Sequence, residues 1–399
     1  MYLTGEEERI LKGEEGYAKQ KAMEILTVLG VIYGADRLIP VSSAQIAGVS
    51  YTSLGDEGIE WLESLQDCRV VVPAMLNPAS IDLENWREMG ISYEYACKQL
   101  RIIDAYRRLG VKPICSCTPY LVGLVPRFGE HVAWSESSAI CYANSVLGAR
   151  TNREGGPSAL ASAIVGKTPD YGYHLDENRK ATVLIDVNVE LETLSDYSAM
   201  GYWVGRTVGL GVPYFRGLKP RFSEELKALG AGLGTAGSIA LYHVEGVTPE
   251  YYEALNGQVE KLNFTDRDLR EVYCEYFKPV DESVELAAMG CPHMSLMELE
   301  EAAKLLKNRR VKRGCKLWLF TSIAVKRLAE RCGFLKTIRE AGGEVYVDCC
   351  MALAPLKSLG IRNVAVDSAK AAFYTRLLTR VNVFFGDFKS CIYSITEGQ

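Results

Sequence analysis

Short apolar runs alternate with amphipathic stretches along most of the chain. Residues 18–29 (AKQKAMEILTVL) have the spacing of a helix with one buried face, and Thr4 with Glu7 fits a capping box that predicts helix at the start. Residues 37–41 read as a short strand and 42–53 as a polar loop of small residues. A strand at 69–72, a loop through Asn77-Pro78, a helix over 94–109 and a strand at 112–115 follow. This rhythm predicts α/β architecture with substantially parallel sheet.

From about 132 to 173 Ser, Ala, Gly and Asn dominate, around Glu154-Gly155-Gly156-Pro157-Ser158. Such a stretch is either a long surface excursion or backbone packed close to a ligand. Strands are predicted at 181–189 and 238–247, each followed by helix-like sequence. The last third places helix 296–306 before strand 316–321. Helix 322–332, with Gly333 after it, leads through 335–341 to strand 344–347. Neither a short repeat nor a low-complexity linker interrupts the chain. Its lobes are therefore closely packed, with soft bounds at about 1–115, 116–285 and 286–399.

Composition narrows the function classes. With 399 residues, 48% hydrophobic and 24% charged, a large core is available. A net charge of -5 and a pI near 5.7 argue against nucleic acid or an anionic membrane as partner. An anionic substrate must be caught by a few placed cations. No run approaches the roughly 20 apolar residues of a membrane span. The acidic start Met1-Tyr2-Leu3-Thr4-Gly5-Glu6-Glu7-Glu8 lacks the order of a secretory signal, so the expected location is cytoplasmic. There, twelve cysteines are poor candidates for disulfides; they are packing, metal-binding or catalytic.

Three cysteine segments share a position type at or just after the carboxyl end of an apolar segment, beside a turn residue. They are Ile114-Cys115-Ser116-Cys117-Thr118-Pro119, Gly290-Cys291-Pro292-His293 and Val347-Asp348-Cys349-Cys350. Ligands of open α/β sheets gather outside the carboxyl ends of strands, so such loops can converge. Packing, structural zinc and a catalytic thiol stand beside a metal cluster as readings. The choices between Cys115 and Cys117, and between Cys349 and Cys350, stay open, although strand alternation allows only one of the latter to face a given site. Cys68, Cys97, Cys141, Cys274, Cys315, Cys332 and Cys391 lie on regular runs and read as core fillers. Of the four histidines, only His293 lies beside one of these loops.

Several segments together carry a resemblance: MYLTGEEERIL at the start, AGVSY at 47–51, NPAS at 77–80, CTPYL at 117–121, WSESSA at 134–139, GCPH at 290–293, VDCC at 347–350 and VDSAKAAFY at 366–374. The chain resembles, essentially end to end, the large subunit of the aconitase X family. That resemblance implies an aconitase-like fold of several closely packed α/β/α lobes, with mainly parallel sheets around a central cleft. It implies a 4Fe-4S cluster, open to oxidation to a 3Fe-4S form, on Cys117, Cys291 and Cys350. In the family the last of these follows an Asp-Thr pair or similar; here it follows Asp348-Cys349. Three protein ligands would leave one iron open for a substrate hydroxyl and carboxylate.

The same resemblance implies substrate contacts at Gly48, Val49, Ser50, Asn77, Pro78, Glu136, Ser137 and Lys370. Glu136 is the acid expected to protonate the departing hydroxyl or orient the substrate, with its pKa raised by burial near an anionic cluster. The implied activity is a hydro-lyase dehydrating (R)-5-phosphomevalonate, in a mevalonate pathway to isoprenoid precursors. The implied catalytic base is a serine on a separate small subunit, so a heterodimer is expected. Dehydration of cis-3-hydroxy-L-proline, and a non-catalytic iron–sulfur sensor or scaffold, are the alternatives. Arg150 and Arg153 join Lys370 as candidate phosphate cations.

Overall fold

A computed structural model describes residues 1–281 and 283–398. Among these, three parallel sheets organise the chain. The first runs Lys112–Cys115, Ala74–Leu76, Ala44–Ile46, Ala133–Trp134. The second runs Glu260–Phe264, Val183–Val187, Pro213–Arg216, His243–Val244. The third has six strands, in the order Lys278–Pro279, Asn382–Phe385, Asn363–Val366, Leu286–Met294, Lys316–Thr321, Gly343–Val347. Parallel sheets covered on both faces demand strands without polar alternation. Leu286–Met294 accordingly is buried at every position.

The sheets divide the chain differently from the soft bounds in the sequence. Ala133–Trp134 pairs with Ala44–Ile46, so the first lobe continues well beyond residue 115. The predicted strand at 69–72 lies instead at Ala74–Leu76, just after Pro73; the Val70 and Val71 amides bond to Leu109 and Ala163 carbonyls. The polar loop at 42–53 holds a strand, Ala44–Ile46, and the start of helix Tyr51–Ser64. The strand expected over 238–247 forms only at His243–Val244. No helix among the described residues is long and apolar enough to cross a membrane.

The small-residue stretch at 132–173 is not a surface excursion. It contains helices Ser137–Ser145 and Gly156–Val165, both largely buried. Its glycines serve close packing of backbone on backbone: a Cβ at Gly156 would sit 2.3 Å from the Ala47 carbonyl oxygen.

The lobes share an apolar core. Ile81 and Trp86 from the first, Tyr202 from the second and Trp318 and Phe320 from the third belong to one buried cluster, together with Cys291, Cys349 and Cys350. Main chain crosses this seam as well. The Ala79 amide donates to the Asp348 carbonyl at 2.7 Å, joining the Asn77-Pro78 loop to the loop of Cys349 and Cys350.

Candidate active site

Each thiol at the seam arrives on a loop whose departure from regular strand has a local cause. Cys117 follows Lys112–Cys115, and the turn is tied by the Ser116 amide to the Leu76 carbonyl (2.9 Å) and the Thr118 amide to Ser116 Oγ (3.1 Å). Cys291 lies where Leu286–Met294 slips register against Lys316–Thr321, between Met289 and Met294. Gly290 makes that slip possible, with φ 110° and space for no side chain, since a Cβ would fall 2.2 Å from the Phe320 carbonyl oxygen. Past Gly343–Val347, Asp348 turns the chain through φ 63°, a conformation Asp tolerates.

Cys117, Cys291 and Cys350 are all buried. The adjoining Cys350 thiol, and then burial, push the Cys291 thiol well above its ordinary value. Burial does the same to Cys117, with the Glu136 carboxylate and Cys291 adding to it. These three thiols thus face one region. Cys349 does not join them: burial, Asp82, Asp348 and Cys115 raise its thiol, so it looks toward a different set of neighbours. The chain has left the strand at Asp348, and the two adjacent thiols have different neighbours. Among the remaining cysteines, Cys141 and Cys391 are buried and Cys68 and Cys315 half-buried. Cys97, Cys274 and Cys332 are exposed, which corrects their reading as core fillers.

Glu136 and Lys370 meet beside the thiols. Glu136 is the N-cap of Ser137–Ser145, and its Oε2 accepts from the Ala139 amide (2.7 Å) and the Ser138 hydroxyl (2.6 Å). Its Oε1 accepts from Ser137 Oγ at 3.3 Å and from the Lys370 ammonium, which also donates to Ser138 Oγ at 3.1 Å. Burial pushes the carboxyl up, but Lys370, Ser138 and the Ala139 amide outweigh it and hold the pKa below its usual value. The expected rise is therefore reversed. A carboxylate held in this way is suited to positioning a cation. Lys370, for its part, is held protonated: burial opposes its charge, but Glu136, Cys291 and Cys117 more than offset that.

The residues that the family resemblance marks for substrate contact lie on loops braced to the same elements. Ser50 caps Tyr51–Ser64, its hydroxyl accepting from the Thr52 amide at 3.2 Å. Among the described residues the amides of Gly48, Val49 and Ser50 find no acceptor, leaving a row of donors suited to an anionic oxygen. Asn77 Oδ1 accepts from Gln45 at 3.2 Å, and Pro78 is buried beside it. Arg150 is engaged by Asp176 and Glu250, whereas Arg153 donates to the Gly234 carbonyl at 2.9 Å and is otherwise exposed.

Buried polar braces hold these loops, and sequence reasoning missed them. Gln45 donates to Asn77 Oδ1 and the Ser116 carbonyl (3.2 Å each) and accepts from the Glu136 amide at 2.9 Å. Gln99 accepts from the Tyr51 amide (3.1 Å) and Ser80 Oγ (2.6 Å) and donates to the Val49 carbonyl at 2.9 Å. Gln45 has only the signal of a lone amide inside an apolar run, Ala44-Gln45-Ile46, and Gln99, between Lys98 and Leu100, has none.

The donor set suits an iron–sulfur group. A single zinc ion gathers thiolates at about 2.3 Å, whereas a cluster seats each thiolate on its own iron and spaces them wider. Among the described residues no three His, Cys, Asp or Glu side chains are gathered tightly enough for one ion. Three convergent buried thiols with a protonated lysine as countercharge fit the wider group.

Comparison with known proteins identifies the family. Sequence profiles of the aconitase X first, second and third domains match residues 1–177, 181–274 and 284–397. The chain belongs to the aconitase X family. The phosphomevalonate dehydratase large subunit of Methanocaldococcus jannaschii is 48% identical over 404 residues, covering 98% of this chain and 99% of that protein. The corresponding large subunit of Thermococcus kodakarensis is 51% identical over 378 residues, covering 94% and 95%. The cis-3-hydroxy-L-proline dehydratase of Pseudomonas aeruginosa is 35% identical over 406 residues, 98% of this chain but 70% of that protein. The crystal structure of Thermococcus kodakaraensis aconitase X in its holo-form superimposes with a TM-score of 0.93 at 50% identity, covering 99% of this chain and 100% of that one.

Proposed function

We propose that this aconitase X chain is the large subunit of a phosphomevalonate dehydratase, removing water from (R)-5-phosphomevalonate to give trans-anhydromevalonate 5-phosphate. The observation that carries the reading is end-to-end similarity to archaeal large subunits of that name, at 47–51% identity for four of them. The bacterial hydroxyproline enzyme is more distant and carries sequence without a counterpart here. The large-subunit names of the archaeal relatives support a separate small subunit, which would close the cleft and bring the base.

Cys117, Cys291 and Cys350 would hold the cluster, the different neighbours of the Cys349 thiol favouring Cys350 within that pair. When bound, a 4Fe-4S cluster with three protein ligands supplies an open iron that acts as Lewis acid toward a leaving hydroxyl. The chain's own residues do the rest. The amides of Gly48, Val49 and Ser50 and the side chain of Asn77 bind anionic and polar oxygens of the substrate. Ionised Glu136 and the Ser138 hydroxyl fix the Lys370 ammonium where it faces both the thiols and an incoming carboxylate. Ser137, half-exposed at the head of its helix, completes the rim.

The deciding experiment is anaerobic reconstitution with iron and sulfide, together with the small subunit, followed by assays on both candidate substrates. Loss of water from (R)-5-phosphomevalonate, dependent on the small subunit, is expected. Turnover of cis-3-hydroxy-L-proline instead, or full activity of the large chain alone, overturns the proposal.

A further inference from the structure

We infer that His293 is a positioning residue that sets the relative placement of the three thiols. The inference rests on the reading of Cys117, Cys291 and Cys350 as cluster ligands.

His293 is fully buried, and it touches all three thiol loops. Its main-chain amide donates to Cys117 Sγ at 3.0 Å. Its Nδ1 stands 3.2 Å from Ser116 Oγ, next to Cys117, and its Nε2 stands 2.8 Å from the Cys349 carbonyl oxygen, next to Cys350. The residue itself is two positions after Cys291. A carbonyl can only accept, so Nε2 carries the proton and Nδ1 accepts from the serine hydroxyl. The His293 carbonyl is fixed in turn by the Lys227 ammonium at 3.1 Å, which pairs with Glu298.

A buried histidine serving packing alone does not need this. His243 shows the contrast: its Nε2 meets the Arg179 carbonyl at 2.9 Å, while its Nδ1 has no partner among the described residues. At His293 both nitrogens are committed, each to the immediate neighbour of a proposed ligand. Groups that orient metal ligands without touching the metal typically alter metal affinity by about 10–100-fold when removed. The imidazole here acts on the spacing of two loops at once.

The test compares His293→Phe, His293→Gln and, as a control, His243→Phe. Each chain is reconstituted anaerobically with iron and sulfide. Iron per chain, visible absorbance and the rate at which that absorbance fades in air are measured, with unfolding of the iron-free chains followed separately. The His293→Phe chain is expected to lose its absorbance about tenfold or more faster than the natural chain. The His293→Gln chain, whose amide still reaches a carbonyl, should fall between them. The His243→Phe chain should be destabilised yet keep its absorbance as the natural chain does. Equal retention in the His293→Phe and natural chains overturns the inference while leaving the cluster reading intact. A natural chain that takes up no such absorbance overturns both. Should His293→Phe not fold, His293→Gln decides, and retention equal to the natural chain overturns the inference.

Discussion

Lys370 and Glu136 form an ion pair from which water is almost wholly excluded, each side chain being less than a tenth exposed. It joins helix Ala369–Thr379 of the third lobe to helix Ser137–Ser145 of the first. Removing one partner strands the other as a buried charge, a loss of about 3–5 kcal/mol. Lys370→Met and Glu136→Gln should each lower the denaturant midpoint and remove turnover. The double variant should be more stable than the sum of the singles implies. Additive losses in a double-mutant cycle would show that the pair is not coupled.

The cysteines make a sharper set of predictions. Replacing Cys117, Cys291 or Cys350 with Ser should each erase the visible absorbance of the reconstituted chain. Cys115→Ser and Cys349→Ala should retain it, because those thiols look toward each other and Asp348. Damage by Cys349→Ala equal to that by Cys350→Ser would reverse the assignment within the pair.

Acid should weaken the first lobe through a histidine pair remote from this chemistry. His131 and His174 stand 2.9 Å apart through their Nδ1 atoms, so one donates and the other accepts. Burial, His131 and the Arg179 and Arg150 cations push His174 down to about 3 from 6.5, and burial lowers His131 as well. Below pH 6.5 the unfolded chain takes up protons that the folded pair refuses, so stability falls as the pH drops toward 3. At about 1.4 kcal/mol per pH unit, His174 alone should cost about 2 kcal/mol between pH 6.5 and 5. Denaturant unfolding at both pH values reads this, and a His174→Phe chain with an undiminished slope would refute it.

Gln45→Leu tests the braces. The change leaves Asn77 Oδ1, the Ser116 carbonyl and the Glu136 amide without a partner, at about 1–3 kcal/mol for each buried group left unmet. Misplacing these loops should also reduce kcat/KM about 100-fold in the reconstituted two-subunit enzyme. Retained kcat/KM with lowered stability would confine Gln45 to a structural role.

Strand ends and cysteine positions were legible because apolar runs and turn residues are local signals. Alternation predicts that only one of Cys349 and Cys350 faces a given site, and the neighbours of the two thiols favour Cys350 as the one beside Cys291. The helix Tyr51–Ser64 was hidden because Thr52, Ser53, Gly55 and Gly58 mimic a loop. The buried helices within 132–173 were hidden for a related reason: small residues weaken local helix signals yet allow backbones to approach closely in the fold. Gln45 and Gln99 escaped because their partners lie far away in sequence; His293 was visible beside Cys291, but its bonds to Ser116 and Cys349 were not. The reversal at Glu136 had the same origin, since its pKa is set by Lys370 from another lobe.

The three thiol loops come from strands at the two ends of the chain. Synthesis from the amino terminus therefore exposes Cys117 long before Cys350 exists, and the Ala79–Asp348 bond that registers the two lobes closes only afterwards. The thiol set is therefore a product of tertiary assembly, complete only once the third sheet has folded against the first lobe.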